Sequence, residues 1–410
     1  MYFSGIGGVG IGPLAEIAYD AGYGVQGSDQ QPSLMTTQLA QRGIPVDIGQ
    51  DGSFLQSCHE KAPIDWFVYT SSLPADHPEL TLAKQLGIKT AKRDELLAQI
   101  IKEKNLKLIA VAGTNGKTTT TGMFVWSLLQ LGIPVSYSVG STLSFGPSGK
   151  FDQQSEYFVY ECDEFDKNFL HFDPYLSLIT SVDYDHPDTY ASEQQYLNAF
   201  RQFGQQSGQL IAWQSEHVEL FGDHPDAWLL DEPLAIKLPG HNRRNATLVA
   251  KAIEKLGIEG DVIAALERFP GTDRRFEKLA DNLYSDYGHH PVEIASTLRM
   301  ARELSDRIVL VYQPHQNVRQ YEVCDQYTTC FEQAEDIYWL PTYLSREDPN
   351  LPILPPETLT RNVTNRENVH ISDLDDDLWD AIQTALSAGK MVLCMGAGSI
   401  DGWVRQRLTA

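Results

Sequence analysis

Leu106–Thr120 reads LKLIAVAGTNGKTTT, and its interpretation decides the fold. Its first half is apolar on both faces, as a strand covered by helices on each side requires. The chain then breaks at a glycine turn and resumes as a helix start. Gly113, Thr114, Asn115, Gly116, Lys117 and Thr118 spell GTNGKT, followed by Thr119. Glycines at the first and fourth positions let the backbone turn tightly and aim its N–H groups at one point. The helix that follows adds the positive end of its dipole. Lys117 supplies a point charge for β- and γ-phosphates, and the Thr118 hydroxyl suits Mg²⁺. The strict pattern places a further glycine where Val111 stands. An ordinary strand–turn–helix corner is the plainer reading, but the strand before and the helix after favour a phosphate loop.

Outward from this segment, short apolar runs alternate with longer helical stretches. Strands are predicted at Tyr2–Ser4, Trp66–Tyr69, Leu108–Ala112, Tyr157–Glu161, Leu176–Ser181, Ile308–Tyr312, Ile337–Leu340 and Met391–Cys394. Such alternation implies right-handed crossovers and an α/β class with mainly parallel sheets. The polar stretch Ile101–Asn105 and the Pro/Gly break in Arg268–Phe276 mark two boundaries. The expected domains are 1–104, 105–270 and 271–410. The acidic run Asp373–Asp377 reads as a solvated helix start.

A phosphate loop needs metal ligands, and in a parallel sheet these gather beyond the carboxyl ends of the strands. Tyr157–Tyr160 runs into Glu161, Asp163, Glu164 and Asp166; Leu176–Val182 runs into Asp183, Asp185, His186 and Asp188. If both strands flank the loop strand, these groups converge on the γ-phosphate. Glu161 is the first candidate for Mg²⁺, a hard cation that prefers oxygen ligands. His186 is the candidate for a second ion or for the phosphates. Solvated acids at strand ends would look the same without the loop.

Gly5, Gly7 and Gly10 form G-x-G-x-x-G after the first strand, and Asp29 follows a second short strand at Gly24–Gln26. The pattern reports a diphosphate beside a ribose. NAD and a UDP-sugar both have that feature, and a structural glycine turn is the bland alternative.

Composition narrows the field. The 410 residues are 42% hydrophobic and 21% charged, with 32 Lys+Arg against 55 Asp+Glu and a formal charge of −23. Bulk attraction to nucleic acid or to an anionic membrane is disfavoured. Cys58, Cys162, Cys324, Cys330 and Cys394 are scattered and odd in number, which suits free thiols. The N-terminal MYFSGIGGVG lacks the charged start and long apolar core of a signal peptide, and no apolar run approaches a membrane span. A cytoplasmic protein is expected.

The motifs occur in a specific order: GIGGVG with Ser28–Asp29, AGTNGKTTT at Ala112–Thr120, ECDEFD at Glu161–Asp166 and DHPDTY at Asp185–Tyr190. PGHNRRNA at Pro239–Ala246, GTDRRF at Gly271–Phe276, DYGHHP at Asp286–Pro291 and GAGSI at Gly396–Ile400 complete the series. Together they resemble the Mur ligase family of peptidoglycan synthesis over nearly the whole chain. GxGxxG alone is weak, GTNGKT moderate, and the combination with DYGHHP strong.

The resemblance implies three domains: a Rossmann-like UDP-substrate domain, a central P-loop ATPase-type sheet for ATP and Mg²⁺, and a Rossmann-like closing domain that binds the amino acid. It implies ATP-dependent joining of L-alanine to the lactyl carboxylate of UDP-N-acetylmuramate through an acyl phosphate, in a cytoplasmic monomer or homodimer. Gly7, Gly8, Val9 and Gly10 would meet the UDP diphosphate, Asp29 the ribose, and Ser71 and Ser72 the uridine. Thr118 and Glu161 would hold one Mg²⁺ and His186 a second. Asn245 would read adenine, where a helix cap is the plainer role. Arg275 would reach the phosphates, Asp286 the ATP ribose, and His289 the reacting groups. His315 and Arg319 would hold the carboxylate of the amino acid. Gln316 and Asn317 replace the family's basic and aromatic residues, which leaves that amino acid open. The alternatives are a ligase adding another amino acid or a recycled peptide and, more distantly, an NAD-dependent oxidoreductase, which leaves GTNGKT and DYGHHP unexplained.

Overall fold

The computed structural model describes every residue except Val9, Ser71, Ser72, Pro187, Asp188, Arg346, Asp348, Pro349 and Ala410. Two compact units emerge, Met1–Ile236 with Asn245–Phe269, and Lys237–Arg244 with Pro270–Ala410. The first contains two sheets and the second contains one.

The first sheet has the order Val46–Ile48, Gln26–Asp29, Tyr2–Ser4, Trp66–Tyr69, Lys89–Lys92, all parallel. Strand order reverses direction between Tyr2–Ser4 and Trp66–Tyr69, which makes a crevice at their carboxyl ends. The glycine turn leaves the Tyr2–Ser4 strand at this point and enters helix Ile11–Asp20. That helix carries Pro13 in its first turn, where the missing N–H costs nothing. The predicted Gly24–Gln26 strand lies instead at Gln26–Asp29, so Asp29 closes the strand rather than following it.

The second sheet runs Ala227–Leu230, Leu210–Trp213, Leu176–Ile179, Lys107–Ala112, Tyr157–Glu161, Val135–Ser138, Gly149–Lys150. Only the last pairing is antiparallel. The phosphate-loop strand Lys107–Ala112 is thus flanked by Leu176–Ile179 and Tyr157–Glu161, the two acid-ending strands. Five of its six residues are buried, as a strand covered on both faces requires. One core runs through both sheets, joining Phe3, Leu14 and Ile100 to Leu108, Phe158 and Phe200. Helix Ile11–Asp20 packs so tightly on Gly149 that a Cβ there would lie 2.8 Å from the Pro13 side chain and 3.0 Å from the Pro13 carbonyl.

The third sheet, in the second unit, runs Glu277–Ala280, Leu283–Asp286, Met391–Met395, Ile308–Tyr312, Asp336–Trp339, Val369–Ile371. Its first pairing is antiparallel and the rest are parallel. Asp375 caps helix Asp376–Ser387 by accepting from the Leu378 N–H, so the acidic run is indeed a helix start. Among the described residues, no helix is long and apolar enough to cross a membrane.

Below the glycine turn sits a wholly buried carboxylate. Glu79 accepts hydrogen bonds from the Tyr2 hydroxyl at 2.6 Å, from Ser4 at 2.6 Å and from Ser28 at 2.6 Å. These donors tie helix Pro78–Gln85 to the two central strands of the first sheet. Glu79→Leu leaves three buried hydroxyls without their acceptor and is expected to cost about 3 kcal/mol, the range for breaking a buried polar network. Urea unfolding checks this; a loss under about 1 kcal/mol would mean the network contributes little.

Candidate functional site

The phosphate loop is built by two glycines in backbone conformations that side chains rarely adopt, Gly113 at φ +135° and Gly116 at φ +85°. A Cβ on Gly113 would also lie 2.2 Å from Thr180 Oγ1 and 2.7 Å from the Ser181 carbonyl. The loop is pinned from the next strand end. Ser181 O accepts from the Thr114 N–H at 2.9 Å, and Ser181 Oγ accepts from the Asn115 N–H at 3.0 Å. Thr114 Oγ1 donates to the Asp183 carbonyl at 2.7 Å and lies 2.7 Å from the Tyr196 hydroxyl. Asn115 reaches Asp183 Oδ2 at 3.5 Å.

Lys117 opens helix Lys117–Gln130, and its ammonium turns back into the loop. It donates to the Gly113 carbonyl at 2.6 Å, the Thr114 carbonyl at 3.2 Å and Glu164 at 2.8 and 3.1 Å. The Glu164 side chain is 1% exposed, so this is a buried ion pair. Burial works against charge on both partners. The carboxylates of Glu164 and Asp163 outweigh it at Lys117 and raise its pKa. The ammonium and His186 outweigh it at Glu164 and lower its pKa. Both directions describe a charged pair.

Thr118 Oγ1 donates to Glu161 Oε1 at 2.8 Å, and the Gly140 N–H donates to Glu161 Oε2 at 2.7 Å. His186 Nε2 lies 3.5 Å from Glu164 Oε1 and 3.8 Å from Asp185 Oδ2. Burial pulls the His186 pKa down, but its bond to Glu164 and the Asp185 charge outweigh this and raise it. Burial, then the Glu164 charge, raises Asp163. His186 holds φ +58°, a conformation rare away from glycine and typical of functional sites. Ligand atoms of Asp163, Glu164 and His186 all lie within 4.8 Å of one another. Hard oxygens from Thr118 and Glu161, with this carboxylate–imidazole group beside them, fit a divalent cation serving phosphates. Glu161 thus meets Thr118, the residue after Lys117, and Glu164 links the Lys117 ammonium to the His186 imidazole. Glu164 is the residue that sequence reasoning passed over in favour of Glu161. Its signal was its place three residues on in ECDEFD.

Thr119 follows, buried in the helix. Asn245 is also buried inside helix Gly240–Lys255 and caps nothing. Its amide lies 3.0–3.4 Å from where a Gly116 Cβ would stand, and its Nδ2 has no partner among the described residues. An orphaned buried amide against the loop is a ready donor for a ligand.

In the first sheet, Gly7 N–H donates to Asp29 Oδ2 at 2.8 Å. The acid expected to meet a ribose thus also braces the turn that Gly7, Gly8 and Gly10 form. Val9, Ser71 and Ser72 lie outside the described residues.

The second unit gathers the remaining candidates. Asp286 accepts from the Phe276 N–H at 2.8 Å and from the Gly288 N–H at 2.7 Å. Burial pushes its pKa up to about 6, against the pull of Arg275. The Arg275 guanidinium lies 5.1 Å from the centroid of Tyr287. Arg319 Nη1 lies 2.6 Å from His289 Nε2, and the His289 and His315 rings are 5.4 Å apart. His290 instead caps helix Pro291–Arg302, accepting from the Val292 N–H at 3.4 Å, so the two adjacent histidines meet different partners.

Sequence matches agree with this arrangement. Three family profiles match: "Mur ligase family, catalytic domain" over residues 1–105, "Mur ligase middle domain" over 111–220 and "Mur ligase, glutamate ligase domain" over 274–398. The chain is 32% identical to the UDP-N-acetylmuramate–L-alanine ligase of Carboxydothermus hydrogenoformans, over 98% of this chain and 94% of that protein. It is 31% identical to the ligase of the same name from Dinoroseobacter shibae, over 98% and 95%. Its fold is similar to the UDP-N-acetylmuramate–alanine ligase of Thermotoga maritima, with a TM-score of 0.75 at 22% identity, over 100% of this chain and 98% of that one. A murein peptide ligase from Psychrobacter arcticus gives 0.64 at 24% identity, over 100% and 98%.

His241, in the PGHNRRNA stretch, was not singled out by its residue type. Burial, with Arg299 beside it, pushes its pKa down to about 4. A histidine held neutral in the fold stabilises above its unfolded pKa and loses that contribution as pH falls through the folded value. His241→Gln is therefore expected to gain stability relative to the parent, by about 1–3 kcal/mol, between pH 7.5 and pH 4.5. Urea unfolding at the two pH values measures it, and a pH-independent difference would contradict a neutral His241.

Proposed function

The chain belongs to the Mur ligase family, and from that premise we propose that it joins L-alanine to UDP-N-acetylmuramate with ATP as the energy source. One observation carries the reading. A lysine on a phosphate loop, a Thr–Glu pair and a histidine meet at the carboxyl ends of three adjacent parallel strands.

A carboxylate is a poor acceptor for an amine because its oxygen is a poor leaving group. In the proposed reaction a lactyl carboxylate oxygen forms a bond to the γ-phosphorus of ATP while the bond to the β-bridging oxygen breaks. ADP leaves and an acyl phosphate remains. The amine of the amino acid then adds to the acyl carbon, loses a proton, and expels inorganic phosphate. Phosphoryl transfer of this kind is mainly positioning and charge neutralisation.

Each residue has a role in that scheme. The loop N–H groups and the Lys117 ammonium take the phosphate oxygens, and Asn245 offers its orphaned amide to the nucleotide base. Thr118, Glu161 and His186 are the residues that would hold Mg²⁺, which neutralises phosphate charge when bound. Gly7, Gly8, Gly10 and Asp29 receive the UDP portion. Within the second unit, Arg275 and Asp286 are assigned to ATP, and His289, His315 and Arg319 to the amino acid. The domains 1–104, 105–270 and 271–410 accordingly carry sugar nucleotide, ATP and amino acid.

ADP release is measured with UDP-N-acetylmuramate against single amino acids, and against a tripeptide. Alanine is expected to support turnover; turnover with the tripeptide alone would redirect the reading to the recycling reaction. Lys117→Ala is expected to lower turnover at least about 100-fold with the circular dichroism unchanged. Turnover within tenfold of the parent would overturn its role. Arg319→Ala is expected to raise the KM for the amino acid about 10–100-fold and leave the KM for ATP near the parent value. Equal effects on both would end that assignment.

A further inference from the structure

Resting on the reading of the first sheet as the sugar-nucleotide site, we propose that Arg93 is a further residue of that site and holds the diphosphate through Nη1. Arg93 begins helix Arg93–Glu103, directly after the edge strand Lys89–Lys92 of the first sheet. It approaches the glycine turn from across the sheet. A Cβ built on Gly10 would lie 3.2 Å from Nη1 and 3.6 Å from Cδ. A side chain at that position would crowd the guanidinium, which would have to give by a few tenths of an ångström.

The other edge of the guanidinium is locked. Nε and Nη2 each donate to Asp94 at 3.2 Å. Asp94 is 3% exposed and also accepts from the Tyr160 hydroxyl. Tyr160 belongs to the strand that ends at Glu161. The fork is therefore pre-oriented, and Nη1 has no hydrogen-bond partner among the described residues. The side chain is 33% exposed, so a ligand can reach it from solvent.

Charge explains why such a residue is needed. The chain carries a net −23, and the turn already holds one carboxylate, Asp29 on the Gly7 N–H. A diphosphate arriving there meets a repulsive field that backbone dipoles only partly offset. A planar guanidinium held beside the turn supplies a local positive charge and directional donors for phosphate oxygens. A purely structural alternative is that Arg93 only neutralises Asp94.

Calorimetric titration of the full chain with UDP, UDP-N-acetylmuramate and ATP separates these roles. Arg93→Met keeps the aliphatic stem and removes the charge. It is expected to weaken UDP and UDP-N-acetylmuramate by the same factor, about 10–100-fold, and to leave ATP within about twofold. Arg93→Lys restores part of the affinity. Unchanged UDP affinity overturns the proposal. So does a loss confined to UDP-N-acetylmuramate, which would give Arg93 to the lactyl carboxylate. So does an equal loss for ATP with a lowered melting temperature, which would make it structural. If Arg93→Met does not fold, Arg93→Lys decides alone: UDP affinity falls at least about threefold, or the proposal fails. A parent that binds ATP but no UDP removes the sugar-nucleotide reading itself, and this assignment with it.

Discussion

A buried ammonium needs a buried carboxylate, and the Lys117–Glu164 pair meets that need at the carboxyl ends of adjacent strands. Leaving either charge unpaired in that environment would cost several kcal/mol. The pair therefore sets where the loop, the Tyr157–Glu161 strand and the Leu176–Ile179 strand must end relative to one another. Parallel pairing is what brings all three ends to one edge. Glu164 also faces His186. A phosphate that takes the ammonium from Glu164 leaves the carboxylate its imidazole partner, so neither anion is stranded in the exchange.

Much of this could be read from residues. The strands with unbroken apolar runs, such as Ile308–Tyr312 and Met391–Met395, announce themselves because both faces are buried. Lys89–Lys92 and Val46–Ile48 do not, because their sheet-edge positions leave them polar and partly exposed. Gly149–Lys150 is invisible for another reason: it is two residues long, paired with Val135–Ser138 and packed against helix Ile11–Asp20, and no local pattern records such distant partners. At the site, motif spacing named Lys117, Thr118, Glu161 and His186. It could not show which carboxylate pairs with the lysine, since Glu161, Asp163 and Glu164 all end one strand. That choice is visible only in the fold, where Glu161 is taken by Thr118 and the Gly140 N–H while Glu164 meets the ammonium.

The acidic composition and the anionic substrates are reconciled locally. A net −23 repels nucleotides at long range, though salt screens this beyond roughly 8–10 Å. Binding then depends on short-range donors, and beside each of the two glycine turns stands a cation paired with a buried acid: Lys117 with Glu164, and Arg93 with Asp94. The two acids differ in what else they hold. Glu164 contacts His186, whereas Asp94 accepts from Tyr160 on the strand that ends at Glu161.

The second unit solves a different problem, that of keeping histidines neutral beside arginine. Arg319 Nη1 sits 2.6 Å from His289 Nε2, a contact that is attractive only if Nε2 is an acceptor. That places the ring proton on Nδ1, which faces the Tyr287 carbonyl at 3.2 Å. Burial lowers the His289 pKa, and Arg319 adds to the effect despite the nearby Glu293. His315 is pushed down to about 4 by burial first, and then by its neighbours His289 and Arg319. Its ring stacks on Tyr343 at 5.7 Å, and Gln316 beside it donates its N–H to the Tyr343 carbonyl at 2.8 Å while holding φ +60°. A non-glycine residue in that conformation stores on the order of 1 kcal/mol or more. The strain turns the chain sharply from His315 into helix Asn317–Val323, which carries Arg319 back toward His289. The two neutral imidazoles add no charge of their own, so Arg319 is the cation of this cluster and Glu293 the carboxylate facing it across the His289 ring.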